Sequence, residues 1–279
     1  GADEPRAYRL NYILGSPMYG TSPLPEVLAE VHRVGATAID IWPRSHANHR
    51  EQLDELGHEK VAELLAEYQV ELGVITRYDL GPFGLGPELP VAQRLGAKLI
   101  VTGAKPAPGE TLKQQVSAFV KQLKPHVERA ALHGVTIGIE NHAGSLLHSP
   151  DSIRYFSDAI DYPNLGLAMA PYHLPQDPRV IADLIQALGK ERLVFFQAWE
   201  HGKGCMNKLP KEEEMLQMPA RGPLDFAPIL SALRAIDYAG WTEIFMHPVP
   251  RGIPVRPTTA EVTEEINHSR AYLDQCLDG

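Results

Sequence analysis

The fold class this sequence predicts is a single α/β domain, a (β/α)8 barrel (TIM barrel) spanning residues 1–279. Three observations lead there. Short apolar, β-rich runs alternate along the chain with segments of helical spacing, in eight such units. Gly35, Gly96, Gly134 and Gly240 each stand between a helical segment and the next apolar run, where a left-handed residue leads out of a helix. No linker divides the units, and 279 residues suffice for a large core. The rival is an open doubly wound sheet. No GxGxxG follows the first run and no GxxxxGK[ST] occurs, so dinucleotide and P-loop readings are weak.

After a polar lead-in, residues 1–9, the first strand is expected at 10–14 (LNYIL). A helix at 25–34 puts Val27, Leu28 and Val31 on one face. The second strand, 38–42 (AIDIW), carries Asp40 and leaves at Trp42 into a wet loop holding His46 and His49. Helix 58–69 puts Val61, Leu64, Leu65 and Tyr68 on its apolar face. The third strand, 70–75, exits at Thr76, Arg77, Tyr78 and Asp79. A Gly- and Pro-rich loop then leaves only a short helix, 90–95, before the fourth strand at 98–102. Helix 112–133 has the clearest period, from Val116 through Phe119, Val120, Leu123 and Val127 to Ala130, with Pro125 expected to kink or split it.

The fifth strand is expected at 135–140, followed by helix 151–160 with Ser149 or Asp151 as its cap. Strand 165–170, helix 178–188 and strand 193–199 (LVFFQAW) come next. The long loop 200–222 reads as a lid or an excursion over one end of the barrel. Helix 225–236, strand 241–246, a proline-rich arm at 249–259 and helix 260–277 close the chain.

Composition excludes several classes. A formal charge of −9 argues against a nucleic-acid surface, because phosphate contacts need clustered Lys and Arg. A local basic pocket for a small anion is still compatible with an acidic chain. Cys205 and Cys276 form no CxxC, so no disulfide scaffold or zinc knot is indicated. No apolar run is long enough to span a bilayer, so no membrane partner is expected. The sequence begins Gly1-Ala2. Location is therefore read as cytoplasmic, or as exported with a signal removed.

The stretch the chain is built around is 134–148, GVTIGIENHAGSLLH. An apolar run ends in Glu140, Asn141 and His142, and a second run, LGLAMAPYH at 165–173, ends in His173. Barrels place their chemistry at the C-terminal ends of strands. Glu140 is a candidate metal ligand, or a general base on a carbon next to a carbonyl. The bland alternative pairs it with Arg77 or Lys105. His173 is a candidate catalytic or hydroxyl-binding imidazole, with His247 placed similarly and His142 beside them. Alternation puts Glu243 and His247 on one face of the last strand, and Gln197 and Trp199 on one face of the seventh. Asp40, Trp42, Arg77, His142, Trp199 and Lys203 are candidate substrate contacts. Aromatic rings, Tyr78 and Tyr172 included, suit the C–H faces of a sugar. Lys203 and Arg251 suit an anionic or hydroxyl-rich end. His46 and His201 lie in loops at the same end.

These residues carry a resemblance. VGATAIDIW at 34–42, GVTIGIENHAG at 134–144 and NLGLAMAPYHL at 164–174 resemble the xylose isomerase-like barrel superfamily of sugar phosphate isomerases and epimerases. The resemblance implies proton abstraction next to a carbonyl of a sugar or polyol, and a divalent metal (Mn, Mg, Co or Zn). It places a metal-binding Glu on strand five at Glu140. The Asp of strand six falls on Ala170, three before His173, the histidine that would hold substrate. The His of strand seven falls on Gln197, and the Glu of strand eight near Phe245, flanked by Glu243 and His247. The rearranged metal set is then Glu140, Gln197 and His247, with Glu140, His173 and Glu243 as catalytic candidates. A small sugar or polyol is the expected partner, and a homodimer is an open assembly. The alternative is a sugar-binding barrel without isomerase activity.

Overall fold

The predicted strands are short, mostly apolar runs, buried along most of their length, and they close a barrel. In a computed structural model, which describes residues 1–2 and 6–279, the strands are β1 (Asn11–Gly15), β2 (Ala36–Ile41), β3 (Glu71–Thr76), β4 (Leu99–Gly103), β5 (Thr136–Glu140), β6 (Leu165–Met169), β7 (Leu193–Ala198) and β8 (Trp241–Ile244). They pair in parallel in sequence order, and β8 pairs with β1 to close the ring. The expected lead-in, residues 1–9, falls partly outside the described residues.

Two apolar regions result. Outward residues such as Ile137 and Ile139 pack under the helices with Phe119, Val120 and Phe156. Inward residues Ile13, Ala38, Val74, Leu99, Val101, Ala168 and Phe195 plug the barrel. The plug leaves little room: a Cβ on Gly73 would stand 2.8 Å from Ile13 Cδ1. Polar inward residues therefore collect above it, at the strand exits.

The helices are α1 (Leu24–Leu28), α2 (His49–Leu56), α3 (His58–Tyr68), α4 (Leu89–Leu95), α5 (Leu112–Leu132), α6 (Pro150–Ala159), α7 (Pro178–Arg192), α8 (Lys211–Glu214), α9 (Ala227–Ala235) and α10 (Thr259–Asp278). Three depart from expectation. α1 is shorter than 25–34, its second half becoming a 3-10 turn that ends at Gly35 with φ +72°. α2 replaces part of the expected wet loop. Its only buried apolar side chain is Leu53, but long-range polar contacts hold it: His49 Nε2 to Ser22 O at 2.7 Å, and Arg50 to Glu88 at 2.8 and 2.9 Å. α5 is not split at Pro125. Six buried apolar side chains and a Thr111–Gln114 capping box hold it as one helix. Ser149, not Asp151, caps α6. α7 leaves helical geometry at Gly189 (φ +66°), close to the expected end.

Candidate functional site

Asp40 sits on the inner face of β2, and burial alone would make its carboxylate costly. Neighbouring donors compensate. Thr76 Oγ1 donates to Asp40 Oδ1 at 2.8 Å, and Trp42 Nε1 donates to Oδ2 at 2.8 Å. Glu243 on β8 is fully buried beside it, and Gln197 Nε2 on β7 donates to Glu243 Oε1 at 3.0 Å. β7 and β8 pair Gln197 with Glu243 directly, so their register makes that contact. Burial pushes Asp40 up to about 6. Burial and then the charge of Asp40 drive Glu243 well above the usual carboxylate range. Two carboxyls in one dry space do not both ionise. Glu243 keeps its proton, and its Oε2 has no hydrogen-bond partner.

Glu140 ends β5 with its side chain turned inward, 5% exposed. Burial, reinforced by the charge of Asp40, raises it to about 8. It forms no ion pair with Arg77 or Lys105. The nearest basic group is His173, whose Nε2 lies 3.9 Å from Oε1. His173 is held neutral, lowered to about 3 by burial and then by His142 and His201. The His142 ring lies 3.9 Å away, centroid to centroid, and Trp199 meets His173 edge-on at 5.7 Å.

Above this layer opens a cavity of about 830 Å3. Glu140, His142 and His173 line one part of it. Trp42 and Tyr78 line another, with Trp42 stacked on Phe245 at 5.1 Å. Tyr172 and Trp199 form a stacked wall at 4.1 Å and 11°. His46 and His247 stand 4.6 Å apart, His46 lowered to about 4 and His247 well below its ordinary value, both chiefly by burial. Loop 200–222 does cross this end: His201, Cys205 and Met206 reach the cavity, and Cys205 N donates to Tyr172 Oη at 3.0 Å. A second hollow, about 500 Å3, lies at the strand starts around Leu72, Gly73 and Trp241, the end where barrels keep stability rather than chemistry.

The structure thus brings Glu140, Trp42, His142, His173, Trp199 and His247 to one cavity, with Asp40, Gln197 and Glu243 packed below it. Arg77 and Lys203 are not brought there. Arg77 is drawn to the buried Glu88 and to Asp79 at 2.9 Å. Lys203 is exposed and bonds Glu213 at 2.8 Å. Sequence reasoning missed Cys205 and Met206, because a loop residue carries no periodic signal of where it points. It also missed the lock on Asp40, although an aspartate within an apolar strand, two residues before a tryptophan, is a readable sign.

The donor set does not fit the divalent metal implied by the resemblance. Ala170 offers no side-chain donor, and its backbone N–H and C=O are both taken by Asn141, at 2.8 and 3.0 Å. Gln197 is engaged with Glu243. Among the described residues, no group of three or more His, Cys, Asp or Glu side chains is arranged to hold a metal ion.

A family model described as xylose isomerase-like TIM barrel matches residues 28–272. The chain belongs to the xylose isomerase-like TIM barrel family. Solved structures agree at the level of the fold. The IOLI protein with a bound zinc atom is 14% identical, with a TM-score of 0.72, and the match covers 95% of this chain and 98% of that one. An L-ribulose 3-epimerase is 16% identical, with a TM-score of 0.70 and coverage of 97% and 95%. A D-allulose 3-epimerase from Methylomonas sp., in complex with D-allulose, is 17% identical, with a TM-score of 0.68 and coverage of 96% and 98%. No curated protein matches the sequence. Within this xylose isomerase-like barrel, Glu140 ends β5, where the strand-exit rule places chemistry. No described helix is long and apolar enough to cross a membrane.

Proposed function

We propose that the chain is an isomerase or epimerase of a sugar or of a cyclic polyol that carries a ketone, with Glu140 moving the proton on the carbon next to the carbonyl. The observation that supports this most is the setting of Glu140: a nearly buried carboxyl, paired with no Lys or Arg, opening into a cavity walled by aromatic rings and neutral imidazoles. A carboxylate raised to about 8 is a far stronger base than an exposed one, and its acid form persists at neutral pH to return the proton. His173, uncharged, has one ring nitrogen to donate and one to accept, which matches a hydroxyl. Trp42, Tyr78, Tyr172 and Trp199 offer flat faces to sugar C–H groups. Glu243 works from below: by staying protonated it spares Glu140 a second negative charge. No step is routed through a metal, because the donors do not fit one.

A second reading, a sugar-binding barrel without turnover, is favoured by one observation: Ala170 and Gln197 stand where the family resemblance expects metal ligands. One experiment separates the two. The protein is incubated with a panel of keto-sugars in deuterated water, and exchange of the C–H proton is followed by NMR. The first reading expects exchange with at least one sugar and its loss in Glu140→Gln. Binding without exchange across the panel leaves the second.

A further inference from the structure

The sign of the charge inside the cavity narrows the ligand. In a chain of formal charge −9, Arg251 is the only Lys or Arg among the described residues that line this cavity. Several other cations are paired elsewhere: Arg50 and Arg77 with Glu88, Lys203 with Glu213, Arg221 and Arg256 with Glu265. Among the described residues, Arg251 has no carboxylate within ion-pair distance. Its Nη1 donates to Pro248 O at 2.7 Å and its Nη2 to Cys205 Sγ at 3.5 Å, so most of its donors stay open.

The arm that carries Arg251 is fixed on both sides. Gln217 brackets His247, accepting from its N–H and donating to its C=O, each at 3.0 Å. Val249 N donates to Glu214 Oε2 at 3.0 Å, and Val255 N to Met18 O at 3.1 Å. Arg251 lies close enough to His46 and His247 for its charge to help keep both neutral. Among the described residues, the one carboxyl lining the cavity is Glu140, and it makes no ion pair with the guanidinium. A fixed, unpaired guanidinium over a partly dry cavity suits a planar or tetrahedral oxyanion.

We infer that the ligand of this cavity carries an anionic group, a carboxylate or a phosphate, held by Arg251. The inference rests on the cavity being the ligand site and makes that ligand a sugar acid or sugar phosphate rather than a neutral sugar.

The test is titration calorimetry of the full chain with matched pairs: D-fructose against D-fructose 6-phosphate, and D-galactose against D-galacturonate. Inorganic phosphate serves as the head group alone. One anionic member is expected to bind about tenfold or more tighter than its neutral parent. Arg251→Gln should erase that difference, and Arg251→Lys should keep part of it. The pair showing the preference distinguishes phosphate from carboxylate. Equal binding within both pairs, a preference that survives Arg251→Gln, or no binding by any anion tried would overturn the inference. Equal binding of neutral and anionic sugars leaves the proposed sugar chemistry intact. Binding of inorganic phosphate, abolished in Arg251→Gln, with no sugar bound would keep the anion site and remove the sugar reading.

Discussion

Trp42 and Asp40, two residues apart on and just after β2, are tied to each other: the indole Nε1 donates to the carboxylate Oδ2 at 2.8 Å. One side chain is cavity wall and the other lies in the buried layer beneath, so this bond couples the ligand surface to the carboxyl pair. Trp42→Phe keeps the stack on Phe245 but removes the donor. The expected cost is about 1–3 kcal/mol of stability, the penalty for an under-satisfied buried acceptor, read by urea denaturation. Losing a bond that favours ionisation should also push Asp40 above about 6, visible in a carboxyl NMR titration. An unchanged midpoint and titration would remove the coupling.

The raised carboxyl of Glu140 has a signed consequence for stability. Its folded value, about 8, lies above the ordinary 4.5, so between those pH values the folded state holds a proton that the unfolded state has lost. Its contribution is fully present below pH 4.5 and disappears as pH rises through 8, by on the order of a few kcal/mol. Glu140→Gln carries no such penalty. The variant should match the wild type near pH 4 and melt at higher temperature than it near pH 9. The neutral histidines act oppositely. With His46 at about 4 and His173 at about 3, both below 6.5, stability is lost as pH falls from 6.5 towards those values. Melting curves of both proteins from pH 4 to 9 check both slopes.

Much of the fold was legible because each barrel strand advertises its two faces. Val135, Ile137 and Ile139 read as one buried side, and Glu140 falls on the other by parity alone. Helix α2 was not legible, since His49 and Arg50 are stabilised by Ser22 and Glu88, partners 27 and 38 positions away. The cavity lining was legible where a residue ends a strand or follows closely after one, as Glu140 and His247 do. It failed for Arg77, because nothing local announces that the buried Glu88, on the following loop, captures the guanidinium. Register decides such cases. The facing of Gln197 and Glu243 is set by how β7 slides against β8, which no single strand encodes.

Gly15 shows how tightly the carboxyl layer is packed. A Cβ there would stand 2.9 Å from Glu243 Cδ and 3.2 Å from Oε1. The Glu243 side chain would have to move, breaking the bond from Gln197. Gly15→Ala is therefore expected to destabilise by about 1–3 kcal/mol, as overpacking does. It should also lower C–H exchange activity without altering the cavity lining. A second substitution, Glu243→Ala, relieves the contact. If the double variant is no more stable than expected from adding the two single effects, the packing account fails.

Glu88 is the other place where a single change should be costly. It is 2% exposed and receives two bonds from Arg50 and one from Arg77, holding α2 and the exit of β3 to the loop before α4. Glu88→Gln leaves two largely buried guanidiniums facing an amide. About 3–5 kcal/mol of destabilisation is expected, with the midpoint of chemical denaturation falling accordingly. Because neither arginine lines the cavity, ligand affinity of the remaining folded protein should hold. A large affinity loss would mean that Arg77 serves the site after all.

The strongest divergence from the family resemblance concerns the metal, and it gives the last prediction. Glu140 and His173 remain, but the side chain between them in a family-like site is absent at Ala170, and Gln197 spends its amide on Glu243. Imidazole or carboxylate binds a transition metal far better than an amide oxygen does. Exhaustive chelation of the wild type should leave its melting temperature unchanged, and added Mn or Co should not raise it. Replacing Ala170 by Asp and Gln197 by His supplies the missing donors beside Glu140. The double variant should melt higher in the presence of Mn or Zn, following the mass-action dependence of a ligand bound only to the folded state. If chelation alone lowers the wild-type melting temperature, the present donors suffice for a metal, and the metal-free course assigned to Glu140 has to be abandoned.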